Sequence, residues 1–240
     1  MSLSGQGPAL HSGEAQIKSQ IQRRYAEVAA TGFDGGGAPD RVQAAGYPAS
    51  FLDGLSGTVR DSYCGCGNPL EGLDLTGVGV VVDLGCGAGL DTRQAVGLLP
   101  SASMVVGLDL TPGMLALAAG PVRAVAGDME RLPLADDVAD LVLANASFNL
   151  ALDKPGAFAE ALRILKPGGR LVARDLIRER EIPREILEDP LACNTSLGGV
   201  LEERELQNTL ETVGFSHVCI SGHRAFPPVV SIKLEAVNPG

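Results

Sequence analysis

Apolar and polar positions follow two different periods along this chain. In residues 14–30, Ile17, Ile21, Tyr25 and Val28 recur at the spacing that puts them on one face of a helix, and Gly32 with Gly35-Gly36-Gly37 ends the pattern. This predicts an amphipathic N-terminal helix that docks on the core as a lid. Beyond a linker, short apolar runs recur at 79–83, 104–108, 122–126, 139–144 and 169–174, with helical patterns such as 154–165 between them. Strands separated by helices require right-handed crossovers and predict a parallel sheet covered on both faces. Runs at 216–221 and 229–237 follow a helical segment near 202–213 and are joined at Pro227-Pro228, which reads as an antiparallel hairpin. The expected fold is α/β: a doubly wound, mostly parallel seven-stranded sheet with a C-terminal antiparallel hairpin and an N-terminal helical lid. The helix at 112–119 is short, stopping at Gly120-Pro121.

The first apolar run ends at Asp83 and opens at once into Leu84-Gly85-Cys86-Gly87-Ala88-Gly89. Alternate glycines let the backbone bend sharply and approach a ligand more closely than other residues allow. The second run stops at Asp109, where a nucleoside-binding α/β fold places the carboxylate that accepts ribose hydroxyls. A dinucleotide fingerprint needs Gly-x-Gly-x-x-Gly, whereas this turn runs Gly85-Cys86-Gly87-Ala88-Gly89-Leu90. An acid at 83 would also repel a pyrophosphate, yet it suits a cation. S-adenosylmethionine carries a sulfonium, an ammonium and a ribose without phosphate, and matches these acids better than a nicotinamide dinucleotide does.

Composition narrows the classes. A chain of 240 residues with 45% hydrophobic content accommodates one core with decoration. The expected division is 1–70 for the N-terminal helix, linker and Cys-Gly loop, and 71–240 for the main domain. A formal net charge of -10 argues against a nucleic-acid partner. No apolar run reaches the roughly 18 residues of a membrane span, and no leader pattern opens the chain, so a cytoplasmic protein is expected. Five cysteines are an odd number for a disulfide framework and read as thiols.

Four stretches together resemble the class I S-adenosylmethionine-dependent methyltransferases, whose fold is Rossmann-like. They are Asp83-Leu84-Gly85-Cys86-Gly87-Ala88-Gly89, Gly107-Leu108-Asp109-Leu110-Thr111-Pro112-Gly113-Met114-Leu115, Gly127-Asp128-Met129-Glu130-Arg131-Leu132-Pro133 and Leu165-Lys166-Pro167-Gly168-Gly169-Arg170-Leu171. The resemblance implies S-adenosylmethionine as cofactor, with Gly85 and Gly87 on its methionine part. It also implies Asp109 on the ribose with Leu110 next in the same motif, Asp128 and the Met129 backbone around the adenine, and Asn145 opening the loop that faces the sulfonium.

A narrower likeness, from about Tyr25 to the C-terminus, is to the arsenite methyltransferase family. It rests on Gly46-Tyr47-Pro48, Tyr63-Cys64-Gly65-Cys66-Gly67-Asn68-Pro69, Ala144-Asn145-Ala146-Ser147-Phe148-Asn149-Leu150 and Asp153-Lys154-Pro155. It implies a small-molecule acceptor, arsenite, held with other thiolates by Cys66, because trivalent arsenic is soft and thiophilic. The chain departs from the family at Ser196, where a further arsenic-binding cysteine is expected, and it lacks the usual N-terminal cysteine cluster. Cys193 lies three residues away, and Cys64 would face the same way as Cys66 in an extended segment. The candidate acceptor site is thus Cys64, Cys66 and Cys193. The other readings are an organic acceptor, with Ser196 marking loss of the metalloid site, and a sensor that binds the cofactor without turnover.

Other residues read as packing. Cys86 is a small filler in the turn and Cys219 alternates into the core of a strand. His217 and His223 flank the last strands, Tyr25 and Tyr47 line the substrate mouth or the core, and Arg178-Glu179-Arg180-Glu181 is a solvated charged face.

Overall fold

The computed structural model describes residues 12–33, 39–120, 122–182 and 197–240. Helix α1 (Ser12–Thr31) is followed by three short helices, α2 (Pro39–Ala44), α3 (Ala49–Leu52) and α4 (Gly57–Asp61). The sheet then builds through β1 (Val80–Leu84), α5 (Leu90–Leu98), β2 (Met104–Asp109), α6 (Pro112–Ala118), β3 (Arg123–Ala126) and β4 (Ala139–Asn145). A 3-10 turn at Phe148–Leu150 leads to α7 (Lys154–Ile164), β5 (Leu165–Arg178), β6 (Leu201–Glu202), α8 (Glu203–Val213), β7 (Ser216–Phe226) and β8 (Val229–Val237).

The strand order is β3-β2-β1-β4-β5-β8-β7, and the two-residue β6 adds to β5. Strands β1 to β5 run parallel, whereas β8 is antiparallel to β5 and β7 is antiparallel to β8. The predicted doubly wound sheet with its closing hairpin is therefore the observed one. Strand β1 pairs with β2 on one side (Leu84 opposite Leu108) and with β4 on the other (Leu84 opposite Ala144). Chain direction across the sheet reverses there, and ligands of open α/β sheets bind in the crevice that such a reversal leaves.

Period-two alternation divides the strands between two cores. Val82, Leu84, Leu108, Val142 and Ala144 pack on one face with Phe158, Ile164 and Ile232, while Val81, Leu141, Leu143 and Val172 pack on the other with Ala95 and Leu99. Helix α1 lies against α6 so closely that a Cβ on Gly113 would meet Ala29 at 3.4 Å. Among the described residues no helix is long and apolar enough to cross a membrane.

Two expectations need correcting. Strand β5 begins at Leu165 rather than 169: Leu165 pairs with Ala139, and residues 166–169, with Gly168 at a φ of 78°, bulge out before pairing resumes at Arg170 opposite Leu141. Cys219 is exposed, not core. The β7–β8 register shifts between Ser216 and Cys219, where His217 takes a φ of 50°, and this irregularity on an edge strand turns the thiol outward.

Candidate functional site

A cavity opens at the reversal point. Its walls come from α1, residues 62–65, the glycine turn after β1, the ends of β2 and β4, and residues 127–130. Gly85 has a φ of 74° and Gly87 of 53°, conformations that strain any residue with a side chain. A Cβ on Gly85 would stand 2.6 Å from the Ser147 Cβ. The Gly85 and Cys86 N–H groups both donate to the Leu108 carbonyl, at 2.7 and 2.9 Å, which locks the turn to β2.

Asp109 stands at the end of β2 with both oxygens held by backbone. Gly87 N–H donates to Oδ2 at 2.9 Å and Thr111 N–H to Oδ1 at 2.7 Å. Burial raises its pKa and these bonds oppose the rise. Asp128 accepts from the Lys18 Nζ at 2.6 Å and from the Glu130 N–H at 3.0 Å, and Lys18 also reaches Glu130 Oε2 at 2.5 Å. Burial alone would depress Lys18, but the two carboxylates outweigh it and hold its pKa above the usual lysine value. Gln22 Nε2 donates to the Leu110 carbonyl at 2.9 Å. The predicted lid is thus α1, fastened by Lys18 and Gln22 to the two loops that carry Leu110 and Asp128. Met129 also faces the cavity.

Asn145 is a hub at the end of β4. Its Nδ2, with two hydrogens to share, lies 2.7 Å from the Gly67 carbonyl, 2.9 Å from Asp91 Oδ2 and 3.1 Å from Tyr47 Oη, while its Oδ1 accepts from the Cys66 N–H at 2.9 Å. The Cys-Gly loop is held from its other side by Arg174, whose Nε donates to the Asn68 carbonyl at 3.3 Å and whose Nη2 pairs with Glu71 at 3.2 Å. Tyr47 is core, not mouth: it is buried and donates from Oη to Asp91 Oδ1 at 2.6 Å.

Asp91 is a cavity-lining residue that periodicity missed. It lies in the first turn of α5, lines the cavity and is 7% exposed. Burial pushes its pKa up to about 6, against hydrogen bonds from Tyr47 and Asn145 that lower it. The available signal was an acid two positions beyond the last turn glycine. Asp83, by contrast, does not line the cavity. It is the penultimate residue of β1 rather than its end, so its side chain turns beneath α5, where Thr92 Oγ1 donates to Oδ2 at 2.6 Å. Its Oδ1 is buried without a hydrogen-bond partner, and burial followed by the charge of Asp91 lifts its pKa well above the carboxylate range.

The thiols separate. Cys64 lines the cavity and packs near Val59 and Met114. Cys66 is buried among Ala146, Leu176, Val200 and Val229, and Ser231 Oγ donates to its carbonyl at 2.7 Å. Cys66 does not line the cavity and packs in a different cluster from Cys64, so positions 64 and 66 do not share a face as an extended segment would require. Burial, then the charge of Asp175, raises the Cys66 thiol. Cys193 lies outside the described residues, as does Ser196. Among the described residues no three His, Cys, Asp or Glu side chains converge as a metal site. Cys86 is buried beneath Gly107, where a Cβ would meet its sulfur at 2.8 Å.

Residues 82–173 match the methyltransferase domain family. That segment is less than half of the chain, and over it the chain is similar to methyltransferases. Arsenite methyltransferase of Halobacterium salinarum is 29% identical over 86% of this chain and 59% of its own length. Arsenite methyltransferase of Aquipseudomonas alcaligenes is 31% identical over 66% of this chain and 49% of its own. The chain therefore spans half to three fifths of the length of those relatives. The crystal structure of CrArsM, an arsenic(III) S-adenosylmethionine methyltransferase from Chlamydomonas reinhardtii, superposes with a TM-score of 0.62 at 24% identity, over 84% of this chain and 74% of that one. At that identity the likeness speaks for the fold.

Proposed function

We propose that this methyltransferase transfers the methyl group of S-adenosylmethionine to a small molecule, with thiol-bound arsenite as the acceptor. The observation that carries the reading is the cavity itself. A Cβ-free turn lets the donor approach the backbone at Gly85, a backbone-fixed Asp109 suits a ribose, and carboxylates without matching cations suit its positive charges. Bound there, the donor supplies an electrophilic methyl on sulfur to an acceptor lone pair. The chain's share is positioning: α1 screens the cavity from solvent, Asn145 fixes the Cys-Gly loop against the turn, and no general base is required. Holding reactants in near-attack geometry supplies roughly 7 kcal/mol or more in favourable cases. In this reading residues 1–70 furnish the lid and acceptor loop, and 71–240 the methyltransferase domain.

The arsenite relatives and the cavity-facing Cys64 support the metalloid acceptor. The separate packing of Cys64 and Cys66 favours a second reading, an organic acceptor on the same donor site. Incubation with labelled S-adenosylmethionine and an acceptor panel that includes arsenite with glutathione, read by mass spectrometry, decides between them. Methylated arsenic is expected, and it should disappear in Cys66→Ser with donor affinity intact. Arsenite turnover by Cys66→Ser would refute the thiolate site, and methylation of organic acceptors alone would establish the second reading.

A further inference from the structure

Asn145 and Arg174 stand opposite each other on the neighbouring strands β4 and β5, so their side chains leave one face of the sheet on the same rung. The Cys-Gly loop lies over both. Asn145 holds residues 66 and 67 and also reaches Asp91 on the cavity wall. Arg174 holds the far side of the loop, lying along its backbone so closely that a Cβ on Gly67 would stand 2.8 Å from the Arg174 Cδ. Its Nε donates to the Asn68 carbonyl at 3.3 Å, Nη1 to the Gly222 carbonyl of β7 at 3.2 Å, and Nη2 pairs with Glu71 at 3.2 Å. Arg174 is 3% exposed, yet its carboxylate partner is only half-buried and is shared with Arg224 at 2.7 Å. A buried cation with so thin a counter-charge costs stability that an apolar side chain would not. What the guanidinium supplies in return is a planar fork that ties residues 68–71, β5 and β7 together. Neither Arg174 nor Asn68, Glu71 or Gly222 lines the cavity, whereas Cys64 and Gly65 do.

We infer that Arg174 is a positioning residue for the acceptor: it sets where the Cys-Gly loop stands on the sheet and leaves the donor cavity untouched. This rests on the acceptor loop proposed above and names the side chain that holds it in place. The reason is a division of contacts. The hydrogen bonds of the Arg174 side chain go to residues 68–71 and to β7, so its loss reaches the cavity only through the loop, whereas loss of Asn145 disturbs loop and cavity wall together. Lysine carries one compact ammonium and cannot bridge Asn68, Gly222 and Glu71 at once.

Hydrogen exchange read by mass spectrometry, calorimetric titration of S-adenosylhomocysteine and initial rates on the acceptor panel test this together. In Arg174→Met, the amides of residues 62–70 should exchange at least about tenfold faster and kcat/KM for the acceptor should fall at least about tenfold. Exchange in residues 84–91 and 108–114, and the affinity for S-adenosylhomocysteine, should change by less than about twofold. Arg174→Lys should leave exchange in 62–70 at least about fivefold above wild type, because charge without the fork does not bridge. Gly67→Ala pushes the arginine off the loop with every charge still present; it should reproduce the same split, and it carries the test if Arg174→Met does not fold. Equal loosening of the loop and the glycine turn with loss of donor affinity would make Arg174 a general support of the sheet and overturn the assignment. Unchanged exchange in 62–70, or full recovery by lysine, would overturn it as well. A wild-type chain inactive on every acceptor would refute the proposed function instead, since the exchange split and donor affinity are read without turnover.

Discussion

Asp175 offers a quantitative test of how this protein manages buried charge. It is 4% exposed, and its Oδ1 accepts from Asn149 Nδ2 and from the Leu176 N–H, both at 2.8 Å, while Oδ2 is buried without a partner. Burial outweighs these bonds and lifts the carboxyl to about 6, against about 3.9 in an unfolded chain. Because the folded value is the higher one, the folded state keeps its proton longer. The contribution to stability is therefore complete below about pH 4 and is lost as the pH rises through 6. A shift of about two units corresponds to about 3 kcal/mol over the whole window, of which about 1.4 kcal/mol falls between pH 5 and pH 8. Asp175→Asn removes that slope, and any fixed cost of placing an amide there is the same at both pH values. Urea unfolding of wild type and variant should show the variant gaining about 1.4 kcal/mol on the wild type between pH 5 and pH 8. A stability difference that stays constant with pH would refute the claim that this carboxylate is ionised at a cost.

Two further outcomes are expected. Lys18→Met should lower the unfolding free energy by about 1 kcal/mol at low ionic strength, with the deficit shrinking in about 1 M salt, because an ion pair to Asp128 and Glu130 is lost; an equal deficit at both salt levels would point to lost packing instead. Gly85→Ala places a methyl within 2.6 Å of Ser147 at a φ of 74°, and a cost of roughly 2–4 kcal/mol in strain and overpacking is expected, with loss of donor binding in calorimetry; a variant that binds normally would show that the turn is not the donor's seat.

Sheet and lid were legible because their signals are periodic. Val82 and Leu84 alternate with Val81 across β1, and Ile21 and Val28 share one face of α1, so local pattern and tertiary burial agree. The helices α2 to α4 escaped because four to six residues complete too few turns to show a period. Asp109, Gly85 and Asn145 could be placed because strand ends and turns mark them. Asp91 and Lys18 could not: one is polar at the start of a helix and the other is an ordinary surface lysine by pattern, and each acquires its meaning only from a partner far away in the chain. The direction of Asp83 depended on whether β1 ended there or one residue later, since a single residue reverses the face. The parting of Cys64 from Cys66 depended on contacts far away in the chain, since Asn145 holds the Cys66 N–H and Ser231 its carbonyl.

Because one amide at the tip of β4 grips Gly67, Cys66, Asp91 and Tyr47 at once, the Cys-Gly loop and the cavity wall at Asp91 are mechanically a single piece. Whatever displaces that loop also displaces the Asp91 carboxylate on the cavity wall, with no long-range relay between the two. Reshaping the cavity is best begun on wall residues outside that grip, Cys64 and Tyr25 among them, where a change of shape leaves the Asn145 contacts undisturbed.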